Sequence, residues 1–456
     1  MNCLPPIRTP AIHLAGTNGK GSVSAILESV LLVAGLRVGR YNSPHLVEPR
    51  DAIRINGQPP SRELYDSSIA TIRKEAEQRS IPVSPFELAT AAAYYLFSTA
   101  QPPLDIMVIE CGMGGVNDAT NVIPPNYVVA SALTSVGLDH TSFLGNTIGA
   151  IADQKARIAV PGGLLFTSPH LHPAALDAAR RVGYERATAV VQAFPSVVID
   201  TELRRPLSLV PFIEPAHPTI RTRLPVLIDG RFVPGEDYIG TCLPLGGNHQ
   251  LDNLSLALTI LHVISQDKRA LSIQPQLAKI KLPIIQYGVG LTRWEGRCSW
   301  VRYPTSNPDQ PLPLLVDGAH NADSAATLRH YIDQLSLDKD VGVHFIISLS
   351  DSPGKSPDSV LRPLLRPKDR VTIMDFTTPV EGMPWVKAAH KEEISEVVKA
   401  VLYESGSVDV RVESEAGTKG LQSVLNRAAD EFKSNPQLTV VCGSLYLVAD
   451  VYRLVR

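Results

Sequence analysis

At 456 residues the chain exceeds what one hydrophobic core organises, so two domains are the expectation. A hydrophobic fraction of 44% is ordinary for a globular protein, and a formal net charge of −2 excludes the basic footprint of a nucleic-acid binder. No apolar run reaches membrane-spanning length, the N-terminus lacks a basic-then-apolar signal profile, and Cys3, Cys111, Cys242, Cys298 and Cys442 form no metal-type pairing. The chain therefore reads as a soluble intracellular enzyme of a reducing compartment.

Ile12 to Ala15 is a short apolar run, read as a buried strand that stops at Gly16. Gly16, Gly19 and Gly21 then enclose Lys20. From Ser22 onward Val23, Ile26, Leu27, Val30, Leu31 and Ala34 recur on one face and predict a helix. A strand, a glycine loop with a lysine and a helix N-terminus make a cradle for phosphate. Backbone N–H groups point inward and the helix dipole favours an anion. The spacing, G-x-x-G-K-G-S, differs from the common G-x-x-x-x-G-K-[ST], and a plain glycine turn with a solvated lysine is the competing reading.

Arg37–Tyr41 is the next expected strand. Ser43 follows it and precedes Pro44, so its backbone is extended at the strand's C-terminal edge, where ligands sit in parallel α/β sheets; an ordinary Ser-Pro turn is the simpler account. Ala52–Ile55 reads as a strand ending at the Asn56-Gly57 turn. Ser61 caps a helix to about Gln78, and Pro85 opens another through Phe86, Glu87, Ala91, Ala92 and Tyr95. Glu87 in its first turn is explained by the helix dipole alone. Asp105 to Glu110 is a continuous apolar run of the buried parallel type, with Glu110 at its C-terminal end. Gly112-Met113-Gly114-Gly115 and Asn117-Asp118-Ala119-Thr120-Asn121 follow at once. A carboxylate at that edge suits Mg²⁺, which takes few protein ligands and keeps several waters. The strand Val128 to Thr134 delivers Asp139-His140, where His140 reads as a metal ligand, a phosphate contact or a satisfied loop histidine.

A helix from about Asn146 to Ala159 has Ile148, Ile151, Ala152, Ile158 and Ala159 on its apolar arc, with Lys155 in the middle of it. Such a lysine must snorkel, pair or be modified, and it points to the same edge as Glu110 and His140. Leu164–Phe166, Ala174–Val182 and Ala189–Val191 continue the alternation, followed by Pro-rich strand material to about residue 240. Asn248 to Asn253 opens an apolar helix through Leu261. A boundary is expected between Gly288 and Trp294. Beyond it Leu314–Val316, Val343–Ile347, Val371–Met374, Val408–Val412 and Leu438–Val441 alternate with helical stretches, a second α/β sheet. Asp317-Gly318-Ala319-His320-Asn321 and Gly443-Ser444 end two of its strands, so a cleft between two polar sheet edges is expected.

Ala15-Gly16-Thr17-Asn18-Gly19-Lys20-Gly21-Ser22, Ser43-Pro44-His45-Leu46, Glu110 with Gly112-Met113-Gly114-Gly115, Asp118-Ala119-Thr120-Asn121, Leu138-Asp139-His140, Trp294-x-Gly296-Arg297, Asp317-Gly318-Ala319-His320-Asn321 and Gly443-Ser444-Leu445-Tyr446 occur in this order. Together they resemble the dihydrofolate synthase/folylpolyglutamate synthase family of the Mur-type ATP-dependent amide ligases. The resemblance implies an α/β fold with an N-terminal P-loop-type ATPase domain of mostly parallel sheet (1–290) and a smaller C-terminal Rossmann-like α/β glutamate-ligase domain (291–456). It implies ligation of L-glutamate to 7,8-dihydropteroate through an acyl phosphate, giving dihydrofolate, ADP and phosphate.

On the matching positions, Gly16, Thr17, Asn18, Gly19, Lys20, Gly21 and Ser22 would hold the ATP phosphates, with Lys20 stabilising the phosphoryl group in transfer. Asn253, Arg297 and Asp317 would complete the ATP site. Ser43, Glu110 and His140 would bind Mg²⁺, with K⁺ or another monovalent cation as a further ion. Lys155 would be carbamylated. Phe86, Glu87, Leu88, Ala89, Asn117, Asp118 and Ala119 would contact the pterin substrate, and His320 would lie near the incoming glutamate. The implied partners are ATP, dihydropteroate and L-glutamate for a cytoplasmic monomer, with mitochondria the alternative location. Arg157, Val116-Asn117 and Glu295 depart from the usual family residues. Arg157 would compete for a carbamate, and Val116-Asn117 would alter pterin contacts. No helix precedes the first strand, where the family usually has one, which reads as a shortened N-terminus. Asn18 and Gly382-Met383-Pro384-Trp385-Val386-Lys387 favour the fungal dihydrofolate synthases over a folylpolyglutamate synthase or bifunctional enzyme. A phosphotransferase or a non-catalytic nucleotide- or folate-binding protein is the alternative of another class.

Overall fold

The computed structural model describes residues 5–200, 207–228, 231–305, 307, 309–335, 342–351, 356–403 and 409–456. Cys3 and Val408, named above, lie outside the described residues. In chain order the first part contains β1 (Ala11–Ala15), α1 (Lys20–Val33), β2 (Val38–Tyr41), β3 (Ile53–Ile55), α2 (Arg62–Gln78), α3 (Pro85–Thr99), β4 (Ile106–Glu110), β5 (Val128–Leu133), α4 (Thr141–Leu144), α5 (Ile148–Ala156), β6 (Leu164–Thr167), α6 (Pro173–Glu185) and β7 (Ala189–Gln192). The strands form one sheet in the order β3-β2-β4-β1-β5-β6-β7, parallel except for the β2–β3 pair. Its central strands are buried along their whole length, which is why they read as unbroken apolar runs and not as alternating ones.

Residues 196–242 depart from a simple continuation of that alternation. β8 (Ser196–Val198) joins a separate antiparallel sheet, and β9 (Ser208–Leu209) pairs with β10 (Phe212–Ile213). A long hairpin, β11 (Thr219–Ile228) and β12 (Arg231–Cys242), completes the order β12-β11-β8. Ile220, Leu224 and Ile239 turn inward and share a core with α7 (His249–Ile264) and α1. After α8 (Lys268–Ile273), α9 (Leu282–Gly290) crosses α1 so closely that a Cβ on Gly288 would lie 2.7 Å from Val30 Cα, while Ser29 Oγ donates to the Gly288 carbonyl at 2.6 Å. Gly288→Ala is therefore expected to cost about 1–3 kcal/mol, read as a lowered urea midpoint at unchanged m-value.

The second sheet runs β13-β14-β18-β15-β16-β17, built from β13 (Ser299–Tyr303), β14 (Leu312–Val316), β15 (His344–Ile347), β16 (Arg370–Ile373), β17 (Asp409–Val412) and β18 (Thr439–Cys442). Only the β13–β14 pair is antiparallel. Helices α10 (Ala322–Gln334), α11 (Pro357–Leu364), α12 (Lys391–Tyr403), α13 (Gly417–Ser434) and α14 (Leu445–Val455) connect its strands and cover its faces. The two sheets meet where the loop after β2 reaches the second core: Val47 is buried against it, and Arg453 Nη2 donates to the Val47 carbonyl at 3.0 Å. No helix among the described residues is long and apolar enough to cross a membrane.

Candidate active site

The C-terminal ends of β1, β2, β4 and β5 carry the phosphate loop, Asn42-Ser43, Glu110 and the Thr134–His140 segment to one edge. The helix after the loop opens at Lys20, two residues before the Ser22 start expected from periodicity. Gly19 adopts φ 93°, a left-handed turn that lets the next residue already be helical. Lys20, Gly21 and Ser22 thus form the first turn, whose N–H groups precede the first intrahelical bond, from Val23 N to the Gly19 carbonyl. The loop is tied to β5 from below: Thr17 N donates to the Ser135 carbonyl at 2.7 Å, and the Thr134 and Ser135 hydroxyls donate to the Asn18 carbonyl at 2.7 and 3.0 Å.

Two lysines converge here. Lys20 Nζ donates to the Gly16 carbonyl at 3.0 Å and to the Thr17 carbonyl at 3.2 Å, and lies 3.6 Å from Glu110 Oε1. Lys155, on α5, donates to the same Gly16 carbonyl at 2.9 Å. It is 3% exposed, so it does not snorkel. Burial lowers its pKa to about 8, and the Lys20 charge pushes the same way. Lys20 thus faces the buried Glu110 carboxylate, while Lys155 meets Lys20 on the Gly16 carbonyl. Burial raises the Glu110 pKa, opposed by Lys20, by the Asn42 amide and by Arg297 from the second half of the chain.

The other expected residues are placed as follows. Asn253, on α7, stands with its Oδ1 against Gly19, and its Nδ2 donates to Gln250 Oε1 at 2.9 Å. The Trp294 ring lies over Gly21 and beneath the Arg40 guanidinium, 4.9 Å from the ring centroid. Both Asp317 oxygens accept backbone N–H groups, from Cys298 at 2.7 Å and Ala319 at 2.8 Å; burial raises its pKa, opposed by Arg297. His320 Nδ1 lies 2.9 Å from the Gly318 carbonyl, which only accepts, so that nitrogen carries the hydrogen. Ser43 is half-buried beside the loop. His140 is exposed at the start of α4, its Nε2 3.8 Å from Asp139 Oδ2.

At the proposed pterin positions the roles divide. Phe86 lies against Gly112, while Glu87 closes the cap of α3, accepting from Ser84 N at 2.8 Å and Ser84 Oγ at 2.7 Å. Leu88 and Ala89 are half-buried on the same helix, Ala119 is half-buried and Asn117 is exposed. Asp118 is buried; its oxygens accept from Met113 N at 2.8 Å, Thr120 N at 3.0 Å and Thr120 Oγ1 at 2.5 Å, so it holds its own loop. His13, neutral because burial lowers its pKa to about 4, sits 2.9 Å from the same hydroxyl. Arg157 pairs with Asp153 at 2.7 Å and Glu185 at 3.1 Å and is thus engaged by two carboxylates of its own. Val116 N donates to the Gln154 carbonyl at 3.1 Å, and Glu295 pairs with Arg456.

The Glu110 carboxylate suits Mg²⁺. Among the described residues no cluster of three His, Cys, Asp or Glu side chains forms a self-contained metal cage. Glu110 instead offers a single buried carboxylate at the edge of the phosphate loop, matching an ion that keeps phosphate and water in most positions. Reading from sequence missed Asn42, Ser24 and Gln250, each a lone polar residue whose pattern signals only a turn or a helix face.

Comparison with known proteins follows the same lines. A family model described as "Dihydrofolate synthetase, C-terminal domain" matches residues 299–454. The chain is 31% identical to the probable dihydrofolate synthetase of Schizosaccharomyces pombe, covering 98% of this chain and 93% of that protein. It is 30% identical to the dihydrofolate synthetase of Saccharomyces cerevisiae, covering 97% and 92%. Mycobacterium tuberculosis folylpolyglutamate synthase complexed with ADP and AMPPCP has the same fold: TM-score 0.74 at 23% identity, over 98% of this chain and 91% of that one.

Proposed function

The chain belongs to the dihydrofolate synthase/folylpolyglutamate synthase family, and from that premise we propose that it joins L-glutamate to 7,8-dihydropteroate at the expense of ATP. A carboxylate oxygen of dihydropteroate attacks the γ-phosphorus, and the bond from that phosphorus to the ADP oxygen breaks. The resulting acyl phosphate is attacked at its carbonyl carbon by the neutral amine of glutamate. The tetrahedral adduct loses a proton from nitrogen and expels phosphate, leaving dihydrofolate. The arrangement that carries this reading is Lys20 and Lys155 meeting on the Gly16 carbonyl beside Glu110, in a chain whose full-length relatives are named dihydrofolate synthetases.

In this reading Lys20 and the first-turn N–H groups of α1 hold the β- and γ-phosphates and stabilise charge as the phosphoryl group moves. Bound by Ser43, Glu110 and His140, Mg²⁺ would neutralise phosphate charge. Lys155, as a carbamate, would turn from a second cation into an anion paired with Lys20. Residues 1–290 form the ATP-binding domain and 291–456 the glutamate-ligase domain, with Asn253, Arg297 and Asp317 completing the nucleotide site. Phe86 to Ala89 and Asn117 to Ala119 border the pterin, with Glu87 and Asp118 shaping the wall through the caps and loops they hold, and His320 stands near the glutamate amine. The enzyme acts as a monomer.

The test is to assay the purified chain with ATP, Mg²⁺ and glutamate, giving it dihydropteroate or tetrahydrofolate separately. Dihydropteroate is expected to be the preferred acceptor, with slow addition of second and third glutamates. Comparable rates for later additions would reassign the chain to a bifunctional enzyme. ADP release independent of glutamate would leave a phosphotransferase.

A further inference from the structure

Asn42 is the residue between β2 and Ser43, and it is 4% exposed. Its backbone N–H donates to the Ala52 carbonyl at 2.9 Å, which fixes the main chain. Both hydrogens of its side-chain amide are used. One goes to Glu110 Oε2 at 2.6 Å and the other to Ser24 Oγ at 2.7 Å. Ser24 is fully buried on α1 and donates its own hydrogen to the Gly21 carbonyl at 2.8 Å. Chemistry determines the direction of the whole chain. The Gly21 carbonyl only accepts, so the Ser24 hydroxyl donates to it and accepts from Asn42. The amide therefore presents its NH₂ group to the Glu110 carboxylate, which also only accepts.

Glu110 thus stands between two donors of different kinds. Its Oε2 is held by a neutral amide, and its Oε1 lies 3.6 Å from the Lys20 ammonium. Without the amide, Oε2 loses the hydrogen bond that holds it on the side away from the lysine. Closure of the carboxylate onto Lys20 would then bury its charge in an ion pair and draw Lys20 away from the phosphates.

We propose that Asn42 is a positioning residue: it holds the Glu110 carboxylate in register with the phosphate loop and apart from Lys20, so that the carboxylate is presented to the divalent ion. The link runs from carboxylate to amide to hydroxyl to the Gly21 backbone, so the metal-binding and phosphate-binding parts of the site are set in one rigid frame. The inference rests on reading Glu110 as an ion ligand.

The experiment uses the full chain with Mn²⁺ as probe, measured by electron paramagnetic resonance with a non-hydrolysable ATP analogue, so that no turnover is needed. Outer partners that orient a metal ligand typically change affinity by about 10–100-fold when removed. Asn42→Ala is expected to weaken Mn²⁺ binding by about tenfold. The Mg²⁺ concentration for half-maximal rate should rise with it, more than kcat falls. Should Asn42→Ala fail to fold, Ser24→Ala takes its place; it removes the amide's second acceptor and should shift Mn²⁺ affinity in the same direction by less. Unchanged affinity in a folded Asn42→Ala, or in Ser24→Ala as its substitute, would overturn the proposal. Glu110→Gln separates the two readings. If it loses Mn²⁺ while the Asn42 and Ser24 variants keep it, only the positioning role fails. If Glu110→Gln also keeps Mn²⁺, the ligand reading of Glu110 fails and this proposal with it.

Discussion

Lys20→Ala is expected to lower glutamate-dependent ADP release by about a thousandfold or more, with the fold retained. The ammonium is held over the phosphate loop by the Gly16 and Thr17 carbonyls, and its charge is balanced on one side by Glu110 at 3.6 Å. As the γ-phosphoryl group moves, negative charge spreads over its oxygens, and a pre-placed cation costs no reorganisation at that moment. Loss of the lysine also leaves Glu110 without its nearest countercharge, so the buried carboxyl is pushed further toward its neutral form. Removing magnesium should therefore hurt the variant less than it hurts the wild type. The measurement is a coupled ADP assay beside a urea melt. Ligation near the wild-type rate would refute the phosphoryl role and leave Lys20 as a loop clip.

The second large effect is expected at Lys155. Lys155→Ala should lose most activity, and formate or acetate should restore part of it, while alkylamines restore none. The side chain is buried beneath the loop, shares the Gly16 carbonyl with Lys20, and has a pKa lowered to about 8 by burial and by the neighbouring cation. Both causes disfavour the ammonium, and the neutral amine is the form that reacts with CO₂. The carbamate reverses the sign of the charge and converts repulsion from Lys20 into attraction. A pH signature follows. The folded pKa lies below the unfolded value, so the cost of burying the ammonium is fully present below about pH 8 and is relieved as pH rises above it. In CO₂-free buffer the wild type should gain stability relative to Lys155→Met as pH rises from about 8 toward the ordinary lysine value of 10.5. Full activity of Lys155→Ala without additives would exclude the carbamate.

Much of this was legible in the chain because short-range pattern carries it. The run Ile12–Ala15, the glycines around Lys20 and the periodic face beginning at Val23 specify strand, loop and helix through local sterics and side-chain spacing. Lys155 stood out for the same reason: a helical period placed it among alanines and isoleucines, and it is indeed buried there. Glu110 and Asp317 were visible as carboxylates closing apolar runs, since a parallel strand delivers its last side chain to the sheet edge.

Other features had no local signature. Residues 196–242 carry strand-like stretches, but nothing in their spacing says that β8 leaves the parallel alternation to pair with β11. That pairing depends on the apolar surface offered by α1 and α7. Asp118 stands where the resemblance implies a pterin contact, and no local pattern shows that its oxygens also hold the Met113–Thr120 loop, because buried carboxylates take whatever N–H donors the folded backbone supplies. Asn42 reads as a turn residue before Ser-Pro, and only the approach of Glu110, 68 positions away, makes it a bridge. The meeting of Lys20 and Lys155 on one carbonyl spans 139 positions. By itself the sequence determined which elements form and which residues stand at their ends, because those depend on neighbours within a few positions. The tertiary structure alone decided which of those ends meet, because charge compensation and hydrogen-bond partners are set by distance in space and not by distance along the chain.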